Sequence, residues 1–393
     1  MAHEIDGRAL PVHRVVTRLT LAAGNIFAWV VVFRLFFVAF GSIELSLVGT
    51  ASLYIISQLV TFLLTPLSAR ALRFGVRRAL ILGTLAFAAA FGFLAVLFVG
   101  GTAVFGAAAT FAIAHGTARA LYWVPYSAAT VENVERSPSM LTREALAALM
   151  PAVAGYFLTT LENGPFILFL TASIAMLFAA FALAGMTERY ESFEWTYRET
   201  LRELTARANH RAVGLFILDG YQGAALLLVW PLAAFLILGQ SFQSLGAILT
   251  ATLCIAFIGR FVVKNVLRAL KVARSPHVLA AIVFSSWMMK FVAGTPIQLL
   301  AVNVVYTAAN APRRFSIDTH AFEQTADGGH FIDEYTAVKE MGLCIGRALV
   351  CALFVVLLFT TAQPVAFSAV LLTAAISAAW SVYLSHRLQK VVY

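Results

Sequence analysis

The chain has 393 residues, of which 61% are hydrophobic and 12% charged, and it carries a net charge of +9. An ordinary soluble domain has about 25% charged residues, so this composition excludes a water-exposed globular enzyme and requires much of the surface to face lipid. The cations are scattered over separate segments, which argues against a nucleic-acid partner and for contacts with anionic lipid headgroups.

Arg8, Arg14 and Arg18 precede the first apolar run. The next gap, Gly41–Glu44, has no cation, and the one after it holds Arg70, Arg73, Arg77 and Arg78. The gap around Gly100–Gly101 is again uncharged, and the alternation continues to Arg387 and Lys390. Cations are retained on the cytoplasmic side of a membrane, so the pattern predicts an even number of crossings with both ends cytoplasmic. Runs of roughly 20 apolar residues are long enough to span. They predict twelve spans, over 19–40, 45–68, 79–99, 102–128, 140–161, 164–186, 212–237, 243–263, 276–293, 295–315, 335–360 and 363–385. A cleavable leader is not expected, because the first run is itself long enough to span. Cys254, Cys344 and Cys351 lie inside apolar runs with no CxxC spacing, so neither a structural disulfide nor a metal site is expected.

The longest hydrophilic stretch, Thr187–Arg211, falls near the middle. Glu194/Arg198 and Glu203/Arg207 are spaced to pair on a helix, and Phe193, Tyr197, Leu201 and Leu204 would form one apolar stripe. This predicts an amphipathic helix on the cytoplasmic face, joining two halves. The halves read as repeats. Tyr126–Thr130 corresponds to Phe315–Thr319, and Arg143-Glu144 to Lys339-Glu340, with extra loop residues placed in 326–332. The expected organisation is an N-terminal six-helix bundle over 1–186, a linker over 187–211 and a C-terminal six-helix bundle over 212–393.

Ser68-Ala69-Arg70-Ala71-Leu72-Arg73-Phe74-Gly75-Val76-Arg77-Arg78 lies between spans two and three. It resembles the signature loop of the major facilitator superfamily through Arg73, Gly75, Arg77 and Arg78, with Ser68 in place of the signature glycine and Leu72 in place of its aspartate. The equivalent loop Gly259–Lys264 also lacks the acid. Pro151 and Gly155 resemble that family's proline–glycine signature in span five. Tyr122–Tyr126 and Trp230-Pro231-Leu232 are similar to segments of an uncharacterised bacterial branch. The resemblance implies an all-α integral membrane protein with two pseudo-symmetric bundles. It implies a solute path between them and a cytoplasmic gating loop built on Arg73, Gly75, Arg77 and Arg78, which would contact helix ends or acids across the interface of the halves. Spans one, four, seven and ten usually line the path. That selects Asn25, His115, Arg119, Tyr122, Trp123, Asp219, Gln222, Trp230, Asn303 and Asn310 as candidates for substrate or coupling.

Ionisable groups inside spans are functional candidates, since each costs at least ~2.5–3.5 kcal/mol at the centre of the bilayer. Arg119, with His115 one turn before it, and Asp219 are the pair expected to face each other across the path, although Asp219 also suits a structural ion pair and His115 a packing role. Arg34 and Lys290 are expected to snorkel to the outer headgroups. Arg347 is expected to bond carbonyls or an acid at the cytoplasmic helix ends. The acids of 318–340 read as a solvated loop.

No GxxxxGK[ST], HExxH or GxSxG motif occurs, so neither ATP-driven transport nor enzymatic catalysis is expected, and no cofactor. The expected function is a secondary transporter or facilitator in the inner membrane. It would be a monomer surrounded by lipid, moving a small molecule, with proton coupling as one option. The alternative is a non-transporting membrane scaffold or sensor, which the missing signature acids favour.

Overall fold

Apolar character all round a segment and the absence of water to bond its backbone leave helix as the available conformation. The computed structural model describes residues 2–98, 104–130, 139–190, 193–269, 275–310 and 332–392, and among them there is no strand. The first half comprises α1 (Ala2–Phe40), α2 (Ile43–Ala71), α3 (Val76–Val96), α4 (Val104–Thr130), α5 (Ser139–Thr160) and α6 (Gly164–Ala182). A short helix α7 (Tyr197–Thr205) follows. Then come α8 (His210–Ala224), α9 (Trp230–Ile237), α10 (Phe242–Ala269), α11 (Pro276–Met288), α12 (Pro296–Ala309), α13 (Ile332–Thr360) and α14 (Gln363–Val392).

Eight described stretches are long and apolar enough to cross a membrane, and Pro276–Val292 and Pro296–Ala309 are shorter apolar helices. Large apolar side chains project outward all along them, such as Val38 (74% exposed), Phe181 (76%) and Ile297 (80%). This is the surface of a multi-pass membrane protein.

Three elements differ from expectation. α1 starts well before residue 19 because hydropathy marks only the lipid-facing part of a helix; its early turns bury Leu10, His13 and Thr17 against protein. The predicted seventh span is one rod interrupted by a π-helical turn, Ala225–Val229. Pro231 has no N–H for the ladder, which suits a local change of register just before it. The linker helix is only nine residues long. A capping box between Thr196 and Glu199 starts it. It lays Thr200 and Leu204 against protein, whereas Phe193 is buried ahead of the helix, in extended chain.

α3 packs on α4 and α6, α2 on α4, and α1 on α5 and α6. Likewise α13 packs on α8 and α14, α11 on α14, and α10 on α12. Two extensive contacts join these sets, α2 with α13 and α5 with α10. At the second, a side chain on Gly155 would run into the Phe242 carbonyl, and one on Gly246 into the Pro151 carbonyl. The two glycines therefore allow backbone-to-backbone approach, which is how helices associate in lipid. Ala152 N, one residue past the proline, donates to Thr250 Oγ1 at 2.9 Å. The expected proline–glycine signature thus marks a helix crossing.

Candidate functional site

The arginine loop between α2 and α3 is held by three of its residues, Arg73, Arg77 and Arg78. Arg77 donates from its backbone N and Nε to the Glu188 carboxylate at 2.9 and 3.2 Å. Arg78 Nε lies 3.5 Å from the same group. Arg73 Nε donates to the Phe193 carbonyl. Gly75 has φ of 119°, and a side chain there would occupy the place of the Glu188 carboxylate, so this position requires glycine on both counts. The loop therefore grips the start of the linker and, through Arg77 Nη1, the Met186 carbonyl at 3.0 Å, where helix ends or acids across the half-interface were expected. The linker continues to the other set of helices: Glu194 N donates to Glu334 Oε1 at 2.9 Å, and Trp195 meets Tyr335 edge-on at 5.6 Å. The corresponding side chains of 260–264, the repeat segment 315–319 and the 318–331 loop lie outside the described residues.

At the opposite end, α1 meets α9 and α10. Phe33 lies 6.3 Å from Phe235, and Phe235 lies 4.8 Å from Phe242. Arg34 Nη1 donates to Gln240 Oε1, so Arg34 is exposed as expected but is also tied across the interface. Gln240 follows Gly239, and both have positive φ (62° and 65°).

Between these ends lies a cluster of polar groups near the middle of several helices. His115, on α4, is buried. Its Nε2 faces Asn25 Oδ1 at 3.1 Å and its Nδ1 faces Ser57 Oγ at 3.2 Å. Trp29, Phe87 and Phe111 surround the ring. His115 is thus a fully bonded anchor that joins α1, α2 and α4. One turn further, Arg119 is 8% exposed. Its Nε is enclosed without an acceptor, and it has no hydrogen bond or ion pair among the described residues. Among the charged groups acting on it is Arg347 of α13, along with Tyr54 and Glu340. Arg347 Nη1 approaches Gln58 Oε1 at 3.5 Å, and its Nε is also enclosed without an acceptor.

Asp219 accepts from Gln222 Nε2 at 2.7 Å, a contact between neighbouring turns of α8. The charged groups that act on Arg119 are a second arginine, Arg347, and Glu340, and Arg347 bonds an amide in the interior, where helix-end carbonyls or an acid were expected.

Lys290 is the largest departure. Expected in the headgroups, it is 2% exposed. Its Nζ lies 4.0 Å from the Trp230 ring centroid, 4.6 Å from Tyr306 and 5.6 Å from Trp287. It also donates to Asn303 Oδ1 at 3.5 Å, which accepts from Trp230 Nε1 at 2.8 Å. The predicted residues Trp230 and Asn303 do meet, around a cation that the sequence had assigned to the surface. The tight turn Met289–Val292 and the short helix before it turn Lys290 inward; residue spacing alone carries no sign of this.

The other candidates have local partners. The Tyr122 hydroxyl bonds His13 Nε2 at 3.2 Å and Thr17 Oγ1 at 3.4 Å. Asn310 Nδ2 caps the Tyr306 carbonyl at 2.8 Å. Trp123 stands between Tyr122 and Tyr126 with its Nε1 enclosed and unbonded. Sequence reasoning missed Tyr54, Ser57 and Gln58; their only signal is a row of polar residues on one face of α2 with Thr50, Thr61 and Thr65, all buried.

The chain superposes on the crystal structure of a D-xylose-proton symporter with a TM-score of 0.61 at 13% identity, over 94% of this chain and 95% of that one. It shares the overall fold of that transporter. No family model and no curated protein matches its sequence, so the shared fold is visible in the helix packing and hardly at all in residue identity.

Proposed function

We infer that this protein is a secondary transporter that moves a small solute by alternating access. Twelve crossings would be made by α1–α6, the α8–α9 rod and α10–α14. The first six and the last six would form two rocking bundles over 1–186 and 212–393, with 187–211 as the linker. The termini and the linker would face the cytoplasm of an inner membrane, and the protein would act as a monomer. The observation that carries the reading is the position of Arg119 and Arg347. The buried Arg119 and the partly buried Arg347, each with its Nε enclosed, sit mid-helix where α13 meets α2 and α4, at the depth where such folds place their solute sites. A scaffold has no use for charges of this cost. The missing signature acid that favoured a scaffold is answered by Glu188. The matched structure is that of a symporter for D-xylose and protons. For this chain a small solute with optional proton coupling is the corresponding proposal, with Asp219 of the seventh span and Glu340, which acts on both arginines, as the acids that would serve it.

Topology is tested by single-cysteine labelling with an impermeant reagent. Ser42→Cys is expected to label from outside intact cells and Thr196→Cys only after permeabilisation; the reverse would overturn the orientation. Transport is tested by solute counterflow in proteoliposomes, where an absence of flux for every solute that binds would leave the scaffold reading.

A further inference from the structure

We propose that Arg119, Arg347 and Gln58 form the binding site for the oxyanion group of a small organic anion, a carboxylate or a phosphate monoester. The proposal rests on the transport reading and names the substrate class for it.

The argument is one of donors without acceptors. Guanidinium groups only donate and stay charged. Arg119 Nε, Arg347 Nε and Gln58 Nε2 are each enclosed by protein without a hydrogen-bond partner, while Arg347 also bonds the Cys344 side chain. Gln58 is 0% exposed and offers its carbonyl to Arg347 at 3.5 Å, so its amide nitrogen is the remaining donor of the group. All three residues stand near the middle of their helices, on α2, α4 and α13, at the junction where those helices pack. His115 cannot serve as the missing acceptor, because both its nitrogens face Asn25 and Ser57.

Charge points the same way. Arg347 acts on Arg119 as a like charge. Glu340 acts on both, as does the Tyr54 phenol, but no described ion pair involves either arginine. Two cations with one acid acting on both leave a net positive charge in a region of low dielectric. A group with several acceptor lone pairs and a negative charge satisfies the donors and the potential together. A forked guanidinium suits the two oxygens of a carboxylate or phosphate. A neutral sugar would supply acceptors but would leave the charge uncompensated.

The test uses the full chain in lipid nanodiscs, with succinate, glycerol 3-phosphate and D-xylose as probes in thermal-shift and calorimetric titrations. At least one anion is expected to bind saturably, with D-xylose silent; which anion binds separates the carboxylate from the phosphate source. Arg119→Gln and Arg347→Gln are each expected to weaken that anion by about tenfold or more. Should either glutamine variant fold poorly, Arg119→Lys keeps the charge and loses the fork, and is expected to show a smaller but measurable loss. Binding of neither anion, equal binding by wild type and both glutamine variants, or tighter binding of D-xylose would each overturn the proposal. Arginine-dependent binding without uptake in proteoliposomes would uphold the site and sink the transport reading. Uptake of D-xylose unchanged in Arg119→Gln would do the opposite.

Discussion

Arg77 Nε lies 3.2 Å from Glu188 Oε2, so the carboxylate that the arginine loop lacks at Leu72 is supplied by a residue 111 positions later. The acid has moved from the loop to the linker, and Gly75 leaves the space into which it fits. The linker is thereby held at one end by the first set of helices and at the other by Glu334 of α13.

Glu188→Gln is expected to lower stability by roughly 1 kcal/mol, the upper range for a pair that remains partly in water. It should also raise hydrogen exchange across 186–196. A double-mutant cycle with Arg77→Gln should show coupling; strictly additive losses in melting temperature would mean the contact contributes nothing.

Gly155→Ala and Gly246→Ala are expected to destabilise more than any surface change, by about 1–3 kcal/mol each, because a methyl group meets a facing backbone carbonyl that has no rotamer to yield. The pair share one crossing, so the double variant should cost less than the sum. Melting in detergent measures this. Wild-type melting for both single variants would show that α5 and α10 are not in backbone contact.

Lys290→Met tests the aromatic cage. Three rings and one amide oxygen surround the ammonium. A desolvated cation–π contact is worth about 2 kcal/mol, while the desolvation of an ammonium still costs several kcal/mol. With no described carboxylate beside it, the burial cost is expected to win, and methionine of similar volume should raise the melting temperature. A marked fall would show that the cage holds the lysine at a net gain.

The linker helix should respond to pH. The Thr196 backbone N–H, then its side chain, holds the Glu199 carboxyl below its ordinary value. A depressed carboxylate contributes stability above its unfolded pKa and loses it as pH falls through the folded value. Amide exchange at residues 197–201 should therefore quicken in mildly acidic buffer and less so at neutral pH. Glu199→Gln should remove the pH dependence, because an amide oxygen still accepts from the Thr196 N–H but does not titrate. Exchange in that variant that still varies with pH as in wild type would show that the capping box is not the cause.

The sequence by itself determined the helical class, the multi-pass membrane character and the approximate extent of the apolar rods, because hydropathy and cation placement report on each residue's solvent independently of its partners. It also marked Pro151 and Gly155, since a small residue beside a proline in an apolar helix has few other uses. Only the tertiary structure decided the partners. Arg119 and Asp219 were paired across a path on span number alone; the structure adds Gln222 beside Asp219, and Arg347 and Glu340 as the charges acting on Arg119. Lys290 sat near a helix end, where spacing predicts snorkelling, yet a tight turn sends it inward to Trp230. Glu188 looked like one charge among many in a polar linker. In each case the deciding quantity is which face of which helix meets which other, and such contacts between residues distant in the chain leave no periodic trace along it.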